Sequence, residues 1–179
     1  MSWRQLRTRV VYENRWIRVR EDDVVRPDGA DGRYGVVEMR HPAVFVVALT
    51  DADEVVLITQ ERYTTGAVSI EVPAGGTDGE PPLLAARREL REETGLVAAD
   101  WRPLGTLHAL NGIAAAHEHV FLATGLTPAG GDARAAEGIT AVRRVPFAEA
   151  LRMVRDGAIV DGETVAALAL AGIALGRFR

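Results

Sequence analysis

Three glutamates close to one another in a helical segment carry the strongest chemical signal in this sequence. The segment from Arg88 to Gly95 reads RELREETG. At about 100° per residue, Glu89, Glu92 and Glu93 lie on one helix face. Glu89 and Glu93 are a like-charged i,i+4 pair, which destabilises a helix by about 0.2–0.5 kcal/mol. All three also lie near the C-terminal end, where the helix dipole disfavours anions. Arg88 can pair with Glu92, but one cation does not neutralise three anions.

A divalent metal ion is one partner that would make this arrangement favourable. Hard carboxylate oxygens without nearby histidine suit Mg²⁺ or Mn²⁺ rather than zinc, and the chain contains no cysteine. The alternative is a solvated charged face, which is the usual explanation of a charge run. The charge geometry by itself leaves both explanations open.

The residues around the glutamates predict the helix that would position them. Pro81 and Pro82 suit a first helical turn, and Gly95 is typical of the residue that ends a helix. Between them, apolar residues recur at helical spacing at positions 83, 86 and 90.

The rest of the chain predicts an α+β fold with a mixed sheet, because strands and helices alternate irregularly. Residues 1–40 alternate as strands do, and a hairpin is expected around the turn at 27–32. Residues 43–49 are apolar on both faces, which indicates a buried central strand. Further strands are predicted at 54–59, 102–109, 117–124 and 139–145, a loop at 127–133, and helices at 147–156 and 161–176.

Composition excludes several classes of protein. A chain of 179 residues is one domain, or one domain with a small appendage. Its 25 acidic residues outnumber its 21 basic ones, which argues against a nonspecific nucleic-acid binder. The longest apolar stretch, 165–175, is too short to span a bilayer, and the first ten residues lack a signal-peptide core. We therefore expect a cytoplasmic protein with neither nucleic-acid nor membrane partners.

The segment from Gly75 to Leu96, GGTDGEPPLLAARRELREETGL, resembles the signature of the Nudix hydrolases. Glu80, the seven residues after it and the stretch from Arg88 to Leu96 match the family pattern fully. The departure is at the start, where only four residues separate Gly75 from Glu80 and the strictly spaced position is Ala74.

Other segments resemble the ADP-ribose pyrophosphatase-like branch of that family. These are IEVPAG at 70–75 preceded by QERY at 60–63, the strands ahead of the core, and VPF at 145–147 followed by two helices. The resemblance implies a Nudix-type α/β/α sandwich around a mixed sheet. It also implies an antiparallel strand region at 1–40 that helps to form a homodimer, and a hydrolase domain at 41–179.

The activity implied is Mg²⁺-dependent hydrolysis of the pyrophosphate bond of ADP-ribose or a related nucleoside diphosphate sugar. The products would be a nucleoside monophosphate and a sugar phosphate. Two alternatives stay open: a nucleotide-sensing Nudix domain without turnover, and a hydrolase of other nucleoside diphosphate derivatives such as dinucleoside polyphosphates.

The resemblance also assigns the metal-binding and catalytic roles. Glu89 and Glu93 match the main metal ligands, with Glu92 joining through a second ion or a water and the Ala74 carbonyl as a further ligand. Arg88 matches the residue that orients a glutamate of the cluster. Glu137, after the predicted loop, matches a metal ligand or the group that assists the attacking water; its alternative is a solvated loop acid.

Substrate contacts are implied at Arg62, Glu71 and Gly75. Arg62 suits a phosphate, whose geometry guanidinium matches, and its alternative is a surface arginine. Glu71 lies where a nucleoside contact is expected, or it caps a strand end. Trp16 either stacks on a base across the dimer or packs in the core. His117 and His119 share a strand face without an evident third metal ligand, so we expect a packed or exposed pair.

Overall fold

The computed structural model describes residues 2–129 and 138–178, in which eleven strands and three helices are assigned. In chain order these are β1 (Arg4–Glu13), β2 (Ile17–Val25), β3 (Asp31–Met39), β4 (Ala43–Ala48), β5 (Glu54–Arg62), β6 (Ala67–Glu71), β7 (Ala74–Gly76), α1 (Pro82–Thr94), β8 (Leu96–His108), β9 (Ala114–Ala115), β10 (His117–Pro128), β11 (Ile139–Pro146), α2 (Phe147–Arg155) and α3 (Gly162–Ala174).

The central sheet has the strand order β7-β4-β10-β8 and is mixed. Strands β4 and β10 run parallel, whereas the pairs β4–β7 and β10–β8 are antiparallel. Val44 and Val46 of β4 share a core with Leu90 of α1, while Val47, which points to the opposite face, shares a core with Leu168 of α3. The predicted buried central strand and the α/β/α sandwich are therefore confirmed.

A second sheet, of order β11-β5-β6, is antiparallel throughout. Strand β5 is buried from Val55 to Gln60 and emerges at Glu61 and Arg62. Its pairing with β6 places Ile58 opposite Glu71 and Arg62 opposite Ala67. The exposed end of β5 therefore lies beside the segment that leads from β6 into β7.

The N-terminal region forms a separate sheet of order β1-β2-β3-β9, which contains the predicted hairpin of β2 and β3. Strand β1 is exposed along its whole length. Trp3, Leu6, Val10 and Val11 are each about half exposed. This sheet therefore presents an uncovered apolar surface in the single chain.

The structure corrects part of the predicted loop at 127–133. Thr127 and Pro128 lie in β10, where they pair with Val97 and Leu96 because β8 begins well before the predicted residue 102. Positions 130–133 of that loop are outside the described residues. The strands β6, β7 and β9, with five, three and two residues, were not predicted, because so few residues show no clear alternation.

None of the helices in the described part of the chain combines the length and apolar character that crossing a membrane requires.

Candidate functional site

Helix α1 forms and ends as its sequence predicts. Pro82 begins the helix, and Gly95 ends it in a left-handed conformation with φ of 71°. The Gly95 N–H donates to the Arg91 carbonyl at 2.9 Å. Glu89 and Glu93 are only 7% and 5% exposed. Two carboxylates thus lie on the buried side of the helix, where an isolated charge is strongly disfavoured.

The short strand β7 meets both of these carboxylates. The Ala74 N–H donates to Oε2 of Glu93 at 2.8 Å. A Cβ atom built on Gly75 would lie 2.2 Å from Oε1 of Glu89, so only glycine leaves room for that carboxylate. Pairing of Ala74 with Phe45 of β4 fixes this strand against the central sheet. The backbone around Ala74 and Gly75 therefore lies directly beside the two buried acids.

Arg88 joins the acidic groups of the helix to the turn that precedes it. Its Nη1 donates to Oε1 of Glu89 at 2.7 Å and to Oε2 of Glu92 at 3.2 Å, so the predicted i,i+4 contact is confirmed. Its Nε donates to Oε2 of Glu80 at 3.0 Å, and its Nη2 to the Gly76 carbonyl at 2.8 Å. Burial opposes the charged form of Arg88, but the three glutamates outweigh it and raise the pKa of the guanidinium.

The turn that is one residue short still brings Glu80 to Arg88. Asp78 and Gly79 both adopt positive φ, at 49° and 89°, which tightens the turn. The Glu80 N–H donates to the Thr77 carbonyl at 2.8 Å. The shortened spacing therefore preserves the contact between Glu80 and the helix.

The residues at this end of α1 fit a divalent metal ion. Glu89 and Glu93 supply hard carboxylate oxygens, and the backbone of Ala74 lies next to them. Within residues 2–129 and 138–178, no three acidic or imidazole side chains form a ready metal cage. Mg²⁺ does not require one, because it is usually held by one or two carboxylates and completes its shell with waters and phosphate oxygens.

Arg62 and Glu71 form an ion pair beside this helix end. Nε of Arg62 donates to Oε1 of Glu71 at 2.9 Å, and its Nη2 contacts Oε2. Glu71 is 2% exposed, whereas the Arg62 side chain is 44% exposed. Burial alone would raise the pKa of Glu71, but hydrogen bonds led by the one from Arg62 hold it below its usual value. Glu71 thus orients the guanidinium, whose other edge faces solvent.

A cavity of about 460 Å³ opens next to this ion pair, with Arg62, Glu71, Asp161 and Glu163 among its walls. The start of α3 forms one side, because Asp161 caps the helix by accepting from the Thr164 N–H at 2.8 Å. Glu93 lies near enough for its charge to help raise the pKa of Arg62, after the larger effect of Glu71. Arg62, a wall of the cavity, therefore lies within range of the charge of Glu93 at the acidic end of α1.

One residue proposed from sequence, Trp16, lies apart from this arrangement, and another, Glu137, is not among the described residues. Trp16 is 59% exposed, with the guanidinium of Arg15 4.2 Å from its ring centre. The expectation that Trp16 packs in the core is therefore wrong for the single chain, because it lies at the edge of the uncovered N-terminal sheet.

One residue that the sequence analysis did not select is Glu118, which is only 6% exposed. It lies on β10 at the same two-residue period as Val120 and Leu122, both of which belong to the core that packs against α3. The sequence indicates this position, because Glu118 alternates in register with the apolar residues of the buried strand face. The histidines on either side, His117 and His119, belong to the opposite face of the strand, where the His117 ring contacts His108 with centroids 4.7 Å apart.

Comparison with known proteins identifies the class to which this fold and site belong. The model of the NUDIX domain matches residues 39–168, and that of the nucleoside diphosphate sugar hydrolase N-terminal domain matches residues 3–37. The chain therefore belongs to the Nudix hydrolase family, and it is an enzyme of that family.

Individual relatives refine this assignment. An ADP-ribose pyrophosphatase of Mycobacterium tuberculosis is 39% identical over 158 residues, which are 87% of this chain and 73% of the relative. A methanol dehydrogenase activator of Bacillus methanolicus is 31% identical over 91% of this chain and 89% of its own length. A crystal structure of an ADP compounds hydrolase superposes with a TM-score of 0.87 at 25% identity, covering 100% of this chain and 97% of that one.

Proposed function

We propose that this enzyme hydrolyses the pyrophosphate bond of ADP-ribose or a related nucleoside diphosphate sugar, with Mg²⁺ as cofactor and Mn²⁺ as a substitute. The products are a nucleoside monophosphate and a sugar phosphate. The observation that carries this proposal is the contact of Glu89 and Glu93 with β7, which brings two buried carboxylates to the backbone of Ala74 and Gly75.

The metal would be held by Glu89, Glu93 and the Ala74 carbonyl, with Glu92 available through a second ion or a water. When bound, it neutralises phosphate oxygens and lowers the pKa of a water. Arg88 holds Glu89 and Glu92 in place through its hydrogen bonds.

The substrate's phosphates are assigned to Arg62, which Glu71 keeps in one orientation. Gly75, whose missing side chain makes room for the carboxylate of Glu89, is proposed as a further substrate contact. Glu137 is proposed either as a further metal ligand or as the base that assists the attacking water.

The choice of substrate is supported by two of the similar proteins. The Mycobacterium tuberculosis relative is described as an ADP-ribose pyrophosphatase, and the superposed structure as an ADP compounds hydrolase. The match of residues 3–37 to the N-terminal domain of nucleoside diphosphate sugar hydrolases favours a sugar on the far side of the pyrophosphate.

Assembly and location complete the proposal. Residues 1–40 are proposed as a dimerisation region and 41–179 as the hydrolase domain, because the exposed apolar residues of β1 suit contact with a second copy of the chain. The partners would be the substrate and a second copy, without nucleic acid or membrane. The cytoplasm is the location proposed from the sequence.

The deciding experiment is a panel of nucleoside diphosphate derivatives assayed with Mg²⁺, Mn²⁺ or EDTA, with products separated by chromatography. We expect AMP and ribose 5-phosphate from ADP-ribose, and no reaction in EDTA. Nucleotide binding without products would favour the sensing alternative. Preferential cleavage of dinucleoside polyphosphates would favour the other hydrolase activity.

A further inference from the structure

Glu118 occupies a position where the fold would otherwise place an apolar side chain. It precedes Val120 and Leu122 on the face of β10 that packs against α3, and it is 6% exposed. Its Oε2 has no hydrogen-bond partner among the described residues. A buried acceptor without a partner destabilises the folded state, so its presence requires an explanation.

The surroundings of Glu118 disfavour its charged form. Burial, followed by the nearby charges of Glu163 and Asp161, raises the pKa of the Glu118 carboxyl to about 7. The pKa of Glu163 is also raised, mainly by burial. These two carboxyls belong to different elements, β10 and the first turn of α3, and yet they face the same space.

That space is a cavity of about 500 Å³, within the range of small-molecule sites. Glu118 and Glu163 supply its carboxylates, while Leu107, Leu110 and Ala166 supply apolar walls. Leu110 belongs to the segment that joins β8 to β9, is 74% exposed and adopts a positive φ of 51°. The cavity therefore has polar groups at a few points of an otherwise apolar wall.

This cavity adjoins the one that contains Arg62. Gly162 and Glu163, at the start of α3, line both cavities. A molecule whose phosphates contact Arg62 can therefore extend past the N-terminal end of α3 towards Glu118. The second cavity would therefore receive a part of the substrate that lies beyond its phosphates.

The charge of the cavity decides which part of a substrate fits. Its lining among the described residues contains two glutamates and His108, but no arginine. Acidic side chains do not attract phosphate, whereas their carboxyl oxygens accept hydrogen bonds from hydroxyl groups in either protonation state. The apolar walls suit the C–H surface of a sugar ring.

We propose that Glu118 and Glu163 form a specificity subsite that binds the hydroxyl groups of the sugar on the far side of the substrate pyrophosphate. This inference rests on the proposed function, because it assigns the sugar of that same substrate. Glu163 alone has an ordinary structural explanation, since an acid in the first turn favours the helix dipole. Glu118 has no such explanation, and as a lining residue of the cavity it supplies a carboxyl that a sugar hydroxyl would meet there.

The test compares ADP-ribose with the ethyl ester of ADP, which keeps the nucleotide and the pyrophosphate but has no sugar at that end. For the wild type, kcat/KM should be higher for ADP-ribose. Glu118→Gln keeps the side-chain volume but replaces one acceptor oxygen by an NH₂ donor, so it should lower kcat/KM for ADP-ribose about 10-fold or more relative to the ester. Glu163→Gln should act in the same direction, and it decides the question if Glu118→Gln fails to fold.

Controls separate this subsite from other effects. Glu149→Gln changes a half-buried acid of α2 that pairs with Arg152 and lines neither cavity, and should leave the ratio unchanged. An equal loss on both substrates, or a wild type that does not distinguish them, would overturn the subsite while leaving the proposed function intact. The 2-aminoethyl ester of ADP carries an ammonium group in place of the sugar. If Glu118→Gln lowers kcat/KM more for this ester than for ADP-ribose, the cavity binds ammonium groups instead of sugar hydroxyls. A wild type that cleaves no nucleoside diphosphate sugar would overturn both proposals.

Discussion

The carboxylate of Glu89 lies so close to the backbone of Gly75 that no side chain fits between them. A Cβ atom on Gly75 would be 2.2 Å from Oε1 and 2.6 Å from Oε2 of Glu89. This contact joins α1 to β7, and it explains why the glycine precedes the acidic helix in this chain.

Gly75→Ala should therefore lower activity far more than stability. The added methyl group displaces the end of a flexible side chain, so unfolding free energy should change by about 1 kcal/mol or less. A carboxylate moved by about 1 Å can reduce turnover by about 10²-fold. The measurements are kcat and urea unfolding of the purified variant.

Gly76→Ala is the matched control, since the nearest atom to its added Cβ is Oδ1 of Asp78 at 3.5 Å. It keeps the carbonyl that accepts from Arg88 and should retain most of the wild-type kcat. Equal losses in the two variants would show that neither Gly75 nor Gly76 tolerates a side chain, and would contradict a particular role for the contact of Gly75 with Glu89.

Glu93→Gln should separate the contribution of the Glu93 charge to activity from its contribution to folding stability. The glutamine still offers an oxygen to the Ala74 N–H, which donates at 2.8 Å in the structure. Loss of one charge removes the repulsion from Glu89, so stability should hold or rise by about 0.2–0.5 kcal/mol. Activity should fall by several orders of magnitude, because a proposed metal ligand is lost. Thermal unfolding and steady-state kinetics measure the two effects, and unchanged wild-type activity in EDTA would contradict the metal-dependent mechanism.

Arg62→Lys tests whether the ion pair with Glu71 serves substrate binding. Lysine keeps the positive charge but cannot contact both carboxylate oxygens and a phosphate with one planar group. We expect KM to rise about 10-fold with a smaller change in kcat, because the role is in holding the substrate. Stability lost with unchanged KM would mean that Arg62 serves only to satisfy the buried Glu71.

The sequence predicts the parts of this site that depend on residues within one segment, but not the contacts between segments that are distant in the chain. Helix α1 was predicted because Pro82 and Gly95 act within their own segment. The contact of Gly75 with Glu89 and the pairing of Arg62 with Glu71 depend on strand register, which no short pattern specifies.

The errors have similar physical causes. The described part of a single chain leaves Trp16 59% exposed, so core packing, one of the two locations expected for it, is wrong. The strand period indicates a buried position for Glu118 but not what covers it, because its burial depends on α3, a helix more than 40 residues later in the chain.

The uncovered face of β1 predicts a homodimer. Trp3, Leu6 and Val10 are 51%, 53% and 53% exposed in a single chain. Light scattering at micromolar concentration should give about twice 19.3 kDa. Leu6→Glu should shift the protein towards the monomer, since a buried unpaired charge disfavours association. A wild-type monomer would refute the assignment of residues 1–40 as a dimerisation region.

The pH dependence of stability provides a test of Glu118 that requires no substrate. Its folded-state pKa of about 7 lies above the ordinary value of 4.5, so the folded protein binds more protons than the unfolded chain between these values. Stability attributable to Glu118 should therefore fall as the pH rises from about 4.5 to 7, by about 1–3 kcal/mol in total. Asp161 and Glu163 from the start of α3, and His108 from β8, are the titratable groups near it.

Glu118→Gln removes this titration and leaves those neighbours in place. Urea unfolding at pH 5, 6, 7 and 8 should show the variant gaining stability relative to wild type as the pH rises, with the difference levelling above pH 7. Glu163→Gln should give a smaller change of the same sign, because its pKa is also raised by burial. A difference between wild type and Glu118→Gln that is independent of pH would mean that the Glu118 carboxyl titrates normally. In that case its buried oxygen is hydrated in solution and supplies no unpaired acceptor to a ligand.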